Sequence, residues 1–446
     1  MKQDYISILD IFIAIVWFVI LYAIVSSRAN KQKEEIRRYY SSNFLSKVFF
    51  AITFTLFYIF YYGGGDTVAY WDGAVVLNKL AFNSPSSFIE ALTNESSDLF
   101  RSKHFNINTG FPPGWIYREQ EGWFVCKITS FFSLITFRSY LAAVIIFGYF
   151  VSDATWKIFE IISKLKLHNI RTAAFCMFFV PSVGFWCSGI SKDTIIYISI
   201  LNILHSVLDV FINKKKINIG LVLRIIFFAW IILQIRSFVI AAILLPLLTA
   251  FSARFIKNYS SSGFVRFFLR TIFFAIGFVG FFLFTSSGFI KEMADKASVI
   301  QTDFKNNPLY TGKRYEIDVS DPSATGMMRA FPISVFYGIY KPLIYEALSP
   351  TLILNGLEST VLVFLTVSFF LRGNVFKKIR YIQQSEFLVF AFVFVILIGF
   401  MAGYTSVIYG VLVRIRAPLL PFLFLIFTTK SQQEENNEVL NQPQLN

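Results

Sequence analysis

The segment Pro181-Ser-Val-Gly-Phe-Trp-Cys-Ser-Gly-Ile-Ser-Lys-Asp193 lies between two apolar runs and ends in a charged pair. Pro181 has no N–H and clashes with the preceding turn, so it kinks any helix that reaches it. Gly189 permits a reversal, and Ser191 is placed to cap a helix starting at Lys192-Asp193. A lysine held at the open N-terminus of a helix makes a natural anion site. If the flanking runs cross a membrane, this turn sits at one of its surfaces. The rest of the chain then follows from which surface that is.

Composition settles that the runs are spans. Of 446 residues, 55% are hydrophobic, 15% are charged and 55 are Phe. A soluble chain cannot bury so much apolar surface, and the expected fold class is an all-α polytopic membrane protein. The net charge of +14 falls mostly in short loops between apolar runs, which is the positive-inside signature rather than a nucleic-acid surface. Cys126, Cys176 and Cys187 have no metal spacing and read as buried thiols, and His104, His168 and His205 are scattered. No cofactor is evident. The first apolar run, Ile8–Val25, lacks a small-residue cleavage site and precedes its basic cluster, so it reads as a span and not a signal peptide.

Orienting the spans by Arg28–Arg38, Lys157–Arg171, Lys214–Lys216, Arg254–Arg270 and Arg372–Arg380 gives about eleven crossings, with the N-terminus outside and the C-terminus cytoplasmic. After Ile8–Val25 come Val48–Tyr62, Arg138–Trp156, a run through Phe175 and Pro181, and Thr194–Phe211. A pair meets at Arg236, and Thr271–Phe284, Leu352–Leu371, Glu386–Gly403 and Pro418–Thr428 follow. Residues 1–430 form one transmembrane domain with two long outer loops, about 63–125 and 286–350, whose ends Phe124–Thr136 and Phe331–Leu348 are amphipathic. Residues 431–446 are a polar, disordered tail.

In this arrangement Lys192, Arg236, Arg329, Arg414 and Arg416 lie at outer ends of spans, where the positive-inside rule asks for no cations. Each either snorkels to headgroups or contributes to a functional site. Guanidinium and ammonium groups suit a diphosphate. A helix would hold Arg414 and Arg416 about 200° apart, leaving one to face a ligand. Asp66, after Gly63-Gly-Gly65, is a candidate general base or a turn aspartate, and Asp72 fits an N-cap or turn. The two are compatible with a divalent metal but require none. Trp71, Trp115, Trp123 and Trp186 read mainly as an interfacial belt, with sugar stacking as the alternative.

Three elements carry a resemblance. Gly-Gly-Asp66-Thr-x-x-Tyr70, Pro181-Ser182-x-x-Phe185-Trp186-x-Ser188-Gly189-Ile-x-Lys192-Asp193, and Tyr409-Gly-x-Leu-Val-Arg414-x-Arg416-x-Pro418 resemble bacterial polysaccharide-assembly proteins. The similar types are EpsG-like and Wzy-type polymerases and the wider GT-C glycosyltransferases. The resemblance implies a GT-C-like or polymerase-like bundle in the bacterial inner membrane. It also implies a polyprenyl-linked sugar donor and a glycan acceptor used on the outer face. It implies a catalytic base at Asp66 and phosphate-binding arginines at Arg236, Arg414 and Arg416; Lys192, Arg329, Ser188, Trp186 and Tyr70 complete the expected substrate-binding residues. A lipid-linked glycan flippase or a non-catalytic envelope protein are the rival expectations.

Overall fold

The structure, a computed structural model, describes residues 5–259, 324–347, 349–371, 374–406 and 408–429, with isolated positions between 265 and 321. Among the described residues every regular element is helical. Eight helices among the described residues are long and apolar enough to cross a membrane, so the chain is a polytopic helical protein.

In chain order, α1 is Ile8–Ala29, and α2 is Glu34–Leu56, widening into a π-helical turn at Phe57–Tyr61. Then come α3 (Asp66–Asn83), α4 (Pro85–Thr93), α5 (Asp98–His104), α6 (Gly114–Arg118), α7 (Gln120–Ile135) and α8 (Tyr140–Leu165). The next are α9 (Ile170–Phe178), α10 (Pro181–Trp186), α11 (Lys192–Phe211), α12 (Ile219–Arg236) and α13 (Phe238–Tyr259). The last are α14 (Ala324–Tyr340), α15 (Pro350–Leu371), α16 (Val375–Gln384), α17 (Glu386–Thr405), α18 (Tyr409–Arg416) and α19 (Leu420–Phe427).

Three of the expected crossings account for the difference between eight and eleven. The run through Phe175 and Pro181 is not one helix but two short ones, α9 and α10, because Pro181 can only begin a helix here. Its carbonyl ladder therefore stops at Phe178. The run after Arg236 is helical over 22 residues as α13, and Phe238–Ala250 is the apolar part whose side chains the structure describes. Apart from Ile272, Thr271–Phe284 lies outside the described residues, as do the 431–446 tail and much of the 286–350 segment. The final span starts earlier than expected, at Tyr409, because a 3-10 turn at Ala417–Leu419 carries the chain past Pro418.

The segment 63–125 is not a polar loop. It folds into α3–α6 and the start of α7, whose starts are set locally: Ser84 Oγ accepts from Ser87 N–H at 3.4 Å and Ser97 Oγ from Phe100 N–H at 3.2 Å. Its aromatic residues supply a core of their own. Trp71 stacks on Tyr140 and Trp123 meets Tyr117 edge-on. Trp71, Trp123 and Trp186 are buried, which corrects the expected interfacial belt; Trp115 alone of the four is exposed.

The described residues cluster as two compact units, residues up to 164 with 177–237, and residues 165–176 with 238 onward. In the first, α3 and α7 approach closely because Gly73 leaves room for Cys126; a Cβ at Gly73 would lie 2.6 Å from its Sγ. In the second, the amphipathic stretch Phe331–Leu348 contributes its first ten residues to α14, which crosses α17 at backbone contact. A Cβ at Gly338 would fall 1.8 Å from the Gly399 carbonyl oxygen, and one at Gly403 would fall 1.9 Å from that of Ser334.

Candidate functional site

The Pro181–Asp193 stretch folds as expected at its end and differently in its middle. Ser191 Oγ accepts from Thr194 N–H at 3.1 Å and caps α11. Gly189 does not take the left-handed backbone that a reversal would need. It is small because a Cβ there would meet the Phe54 ring at 2.2 Å, and Gly184 is crowded by Phe50 in the same way. These glycines let the turn lie flat on α2.

The two charged residues at the start of α11 are both paired. Lys192 Nζ donates to Glu119, the residue that precedes α7. Asp193, with its side chain 1% exposed, receives Arg236 Nη1 at 2.5 Å from the last turn of α12. Lys192 and Asp193, the neighbour of Lys192 that binds Arg236, both belong to the first turn of α11, and each cation holds its own carboxylate. The partners differ in kind. Glu119 is 42% exposed and can be displaced by an incoming anion, whereas Asp193 is sealed. Ser188 is buried, with no hydrogen-bond partner for its Oγ among the described residues. Trp186 packs edge-on against Phe185 and Phe54, and Tyr70 is buried, so neither ring offers a stacking face.

The second part of the same unit is the loop before α3. Gly63, Gly64 and Gly65 have φ of 67°, 141° and 110°, values that favour glycine, and they set Asp66 half-buried at the first position of α3. Asp72 accepts from the Tyr5 hydroxyl at 3.1 Å. Burial raises the Asp72 pKa, with the Tyr5 bond opposing it, while burial and the Asp72 charge push the Tyr5 hydroxyl up to about 12. On a helix, Asp66 and Asp72 are separated by about 9 Å of rise and about 120° of rotation, so α3 does not converge them on one metal. Among the described residues no group of three or more His, Cys, Asp or Glu is arranged to hold a metal ion. Cys126, on α7, packs against Gly73 of this helix. Burial first, then the Asp72 charge, raises its thiol well above the usual range, and the Lys192 charge acts the other way.

Arg329, Arg414 and Arg416 belong to the second unit. Arg329 is exposed on α14 and Arg414 is half-buried on α18. Arg416 is 0% exposed, and its Nη1 donates to the carbonyls of Ile339 at 3.0 Å and Lys341 at 2.6 Å. The helical reading of the pair therefore holds, with Arg416 turned into the unit. Beside it, Glu346 accepts from Lys341 and from the Tyr409 hydroxyl, and Tyr409 stacks on Tyr315. Burial works against the Glu346 charge, but the hydrogen bonds from Lys341, the Leu343 N–H and Tyr409 hold its carboxyl below the usual range.

Four residues of these sites were not singled out from the sequence. Glu119 lies 73 positions from Lys192 and carries no local signal for the pairing. Lys341 and Glu346 lie in a segment read only as amphipathic. Lys47 reads as the end of a basic loop, yet it is 0% exposed, and its Nζ, with Ser46 Oγ, donates at 3.0 Å to the Phe178 carbonyl left open by the Pro181 break. An ionisable residue following a basic cluster and immediately preceding an apolar run was the available clue. No family model, curated protein or solved structure matches this chain.

Proposed function

We propose that the chain is an integral-membrane glycosyltransferase or polysaccharide polymerase that uses a polyprenyl-(di)phosphate-linked sugar donor on the outer face of a bacterial inner membrane. The observation that carries this reading is the start of α11. There, beside a helix N-terminus, a lysine is held by an acid that is half open to solvent, Glu119. An incoming phosphate would replace Glu119 on Lys192 and gain the helix N-terminus as well. Arg236, fixed by Asp193, would supply the second positive charge as the leaving group develops its own. Asp66, at the head of α3 behind a glycine loop, would position or deprotonate the acceptor hydroxyl. Arg329 and Arg414 remain proposed phosphate or sugar ligands of the second unit by itself, whereas Arg416 is committed to backbone carbonyls.

The topology belongs to the same proposal. The basic clusters support about eleven crossings, with the N-terminus outside, the broken pair α9–α10 counting as one and the 271–284 segment as another. A second reading, a lipid-linked glycan transporter, is favoured by Lys47 and Arg416, two buried cations inside apolar helices. Both are bound to backbone carbonyls, which is a structural use of the charge.

Reconstitution separates the two. Wild-type protein in liposomes with a polyprenyl-diphosphate sugar donor and a glycan acceptor is expected to form new glycosidic bonds, and Asp66→Asn and Lys192→Ala to lose most of that activity. Donor translocation without any new bond would select the transporter.

A further inference from the structure

The first unit contains an open groove of about 650 Å³ between α7, α8, α11 and α12. Phe131, Phe147, Phe150, Phe227 and Trp230 line it, and Phe131, Phe150, Phe227 and Trp230 are exposed along its length. Its polar groups gather mainly at one end, where Asp153, Lys157, Asn202 and Arg224 meet. Lys127, elsewhere on the wall, is already engaged with the carbonyls of Leu92 and Asn94 at 3.2 and 2.7 Å.

The charges at the polar end do not balance. Asp153 lies between Lys157 at 2.6 Å and Arg28 at 3.6 Å, so one carboxylate serves two cations. The two nearby acids are also taken, Glu160 by Lys164 and Asp209 by Lys215, each at 2.9 Å. Arg224 is exposed and has no carboxylate within 4 Å among the described residues. It stands about 7 Å inside the start of α12, within snorkelling reach of a headgroup layer. An aromatic trough along membrane-length helices, closed at one end by an unmatched guanidinium, has the shape and charge of a lipid seat.

We propose that this groove binds one anionic phospholipid of the surrounding bilayer, with an acyl chain along the phenylalanines and the phosphate on Arg224, assisted by Lys157. The chain is held by apolar burial and the phosphate by a forked, charge-assisted contact. A zwitterionic headgroup gains less, because its own cation faces Lys157 and Arg224. The seat is separate from the Lys192 site and does not depend on the transfer activity.

Native mass spectrometry of the full chain tests it, after exchange into an equal mixture of phosphatidylglycerol and phosphatidylethanolamine. The wild type is expected to retain one phosphatidylglycerol preferentially. Arg224→Gln should lower that retention about tenfold, equivalent to about 1.4 kcal/mol, and Arg224→Lys should keep part of it. Phe147→Trp, which fills the trough, should lower retention of either lipid. Equal retention of both lipids by the wild type would overturn the proposal. So would an Arg224→Gln protein that melts like the wild type and keeps its phosphatidylglycerol, or displacement of that lipid by equimolar polyprenyl phosphate.

Discussion

Asp193 and Arg236 pose the question of charge at the smallest scale, because the pair is both a candidate ligand set and a structural clamp. Asp193 is almost wholly buried, so removing Arg236 leaves an uncompensated carboxylate, which costs about 3 kcal/mol or more. Replacing both charges with apolar residues of similar volume removes that penalty. Arg236→Met is therefore expected to lower the unfolding midpoint in detergent strongly, and Asp193→Leu/Arg236→Met to recover most of the loss. Transfer activity then distinguishes the roles: a stable double variant that still transfers sugar would remove Arg236 from the phosphate site. The charged pair at 192–193 was legible because two ionisable residues at an apolar boundary are costly and conspicuous. Their partners were not, since ion pairing across 73 and 43 positions leaves no trace in local pattern.

Elements were legible in proportion to their hydropathy and length. α1, α11, α15 and α17 appear close to where apolar runs placed them, because a bilayer-length apolar run has few other structures open to it. The helices of 66–118 were missed because their apolar residues are spread among short, capped turns that fall below any span-length window. Small residues were the other blind spot, since a glycine in a helix does not announce what it touches. The α14–α17 crossing makes this testable. At Gly338 and Gly403 a methyl group would strike backbone carbonyls, which cannot rotate away as a side chain can, whereas nothing lies within 4 Å of a Cβ at Gly410. Gly403→Ala is expected to destabilise the protein by about 3 kcal/mol, at the upper end of overpacking costs. Gly410→Ala should be within about 0.5 kcal/mol of wild type. Comparable melting of the two variants would mean that the helices do not cross at backbone contact.

At the scale of the whole molecule, sidedness follows from one ion pair and one helix length. The Lys192–Glu119 contact ties the start of α11 to the 66–135 helices, so these lie toward the same membrane face. α11 then runs through 20 residues, about 30 Å, to Ile212 and the basic triplet Lys214–Lys216. A helix of that length spans the hydrocarbon core, so the triplet belongs to the opposite face. In the proposed orientation, which rests on the positive-inside rule, the triplet is cytoplasmic and the 66–135 helices are external. Cys126, Cys176 and Cys187 are all buried, so a membrane-impermeant maleimide meets little background in the native chain. Asn108 and Lys216 are exposed. Asn108→Cys is expected to label in intact spheroplasts, and Lys216→Cys only after permeabilisation. The reverse pattern would invert the orientation and, with it, place Lys192 where no outer-face donor could reach it. Labelling of both from one side would contradict α11 as a crossing, since a 20-residue apolar helix pinned at Lys192 has no other way to keep both ends on a single face.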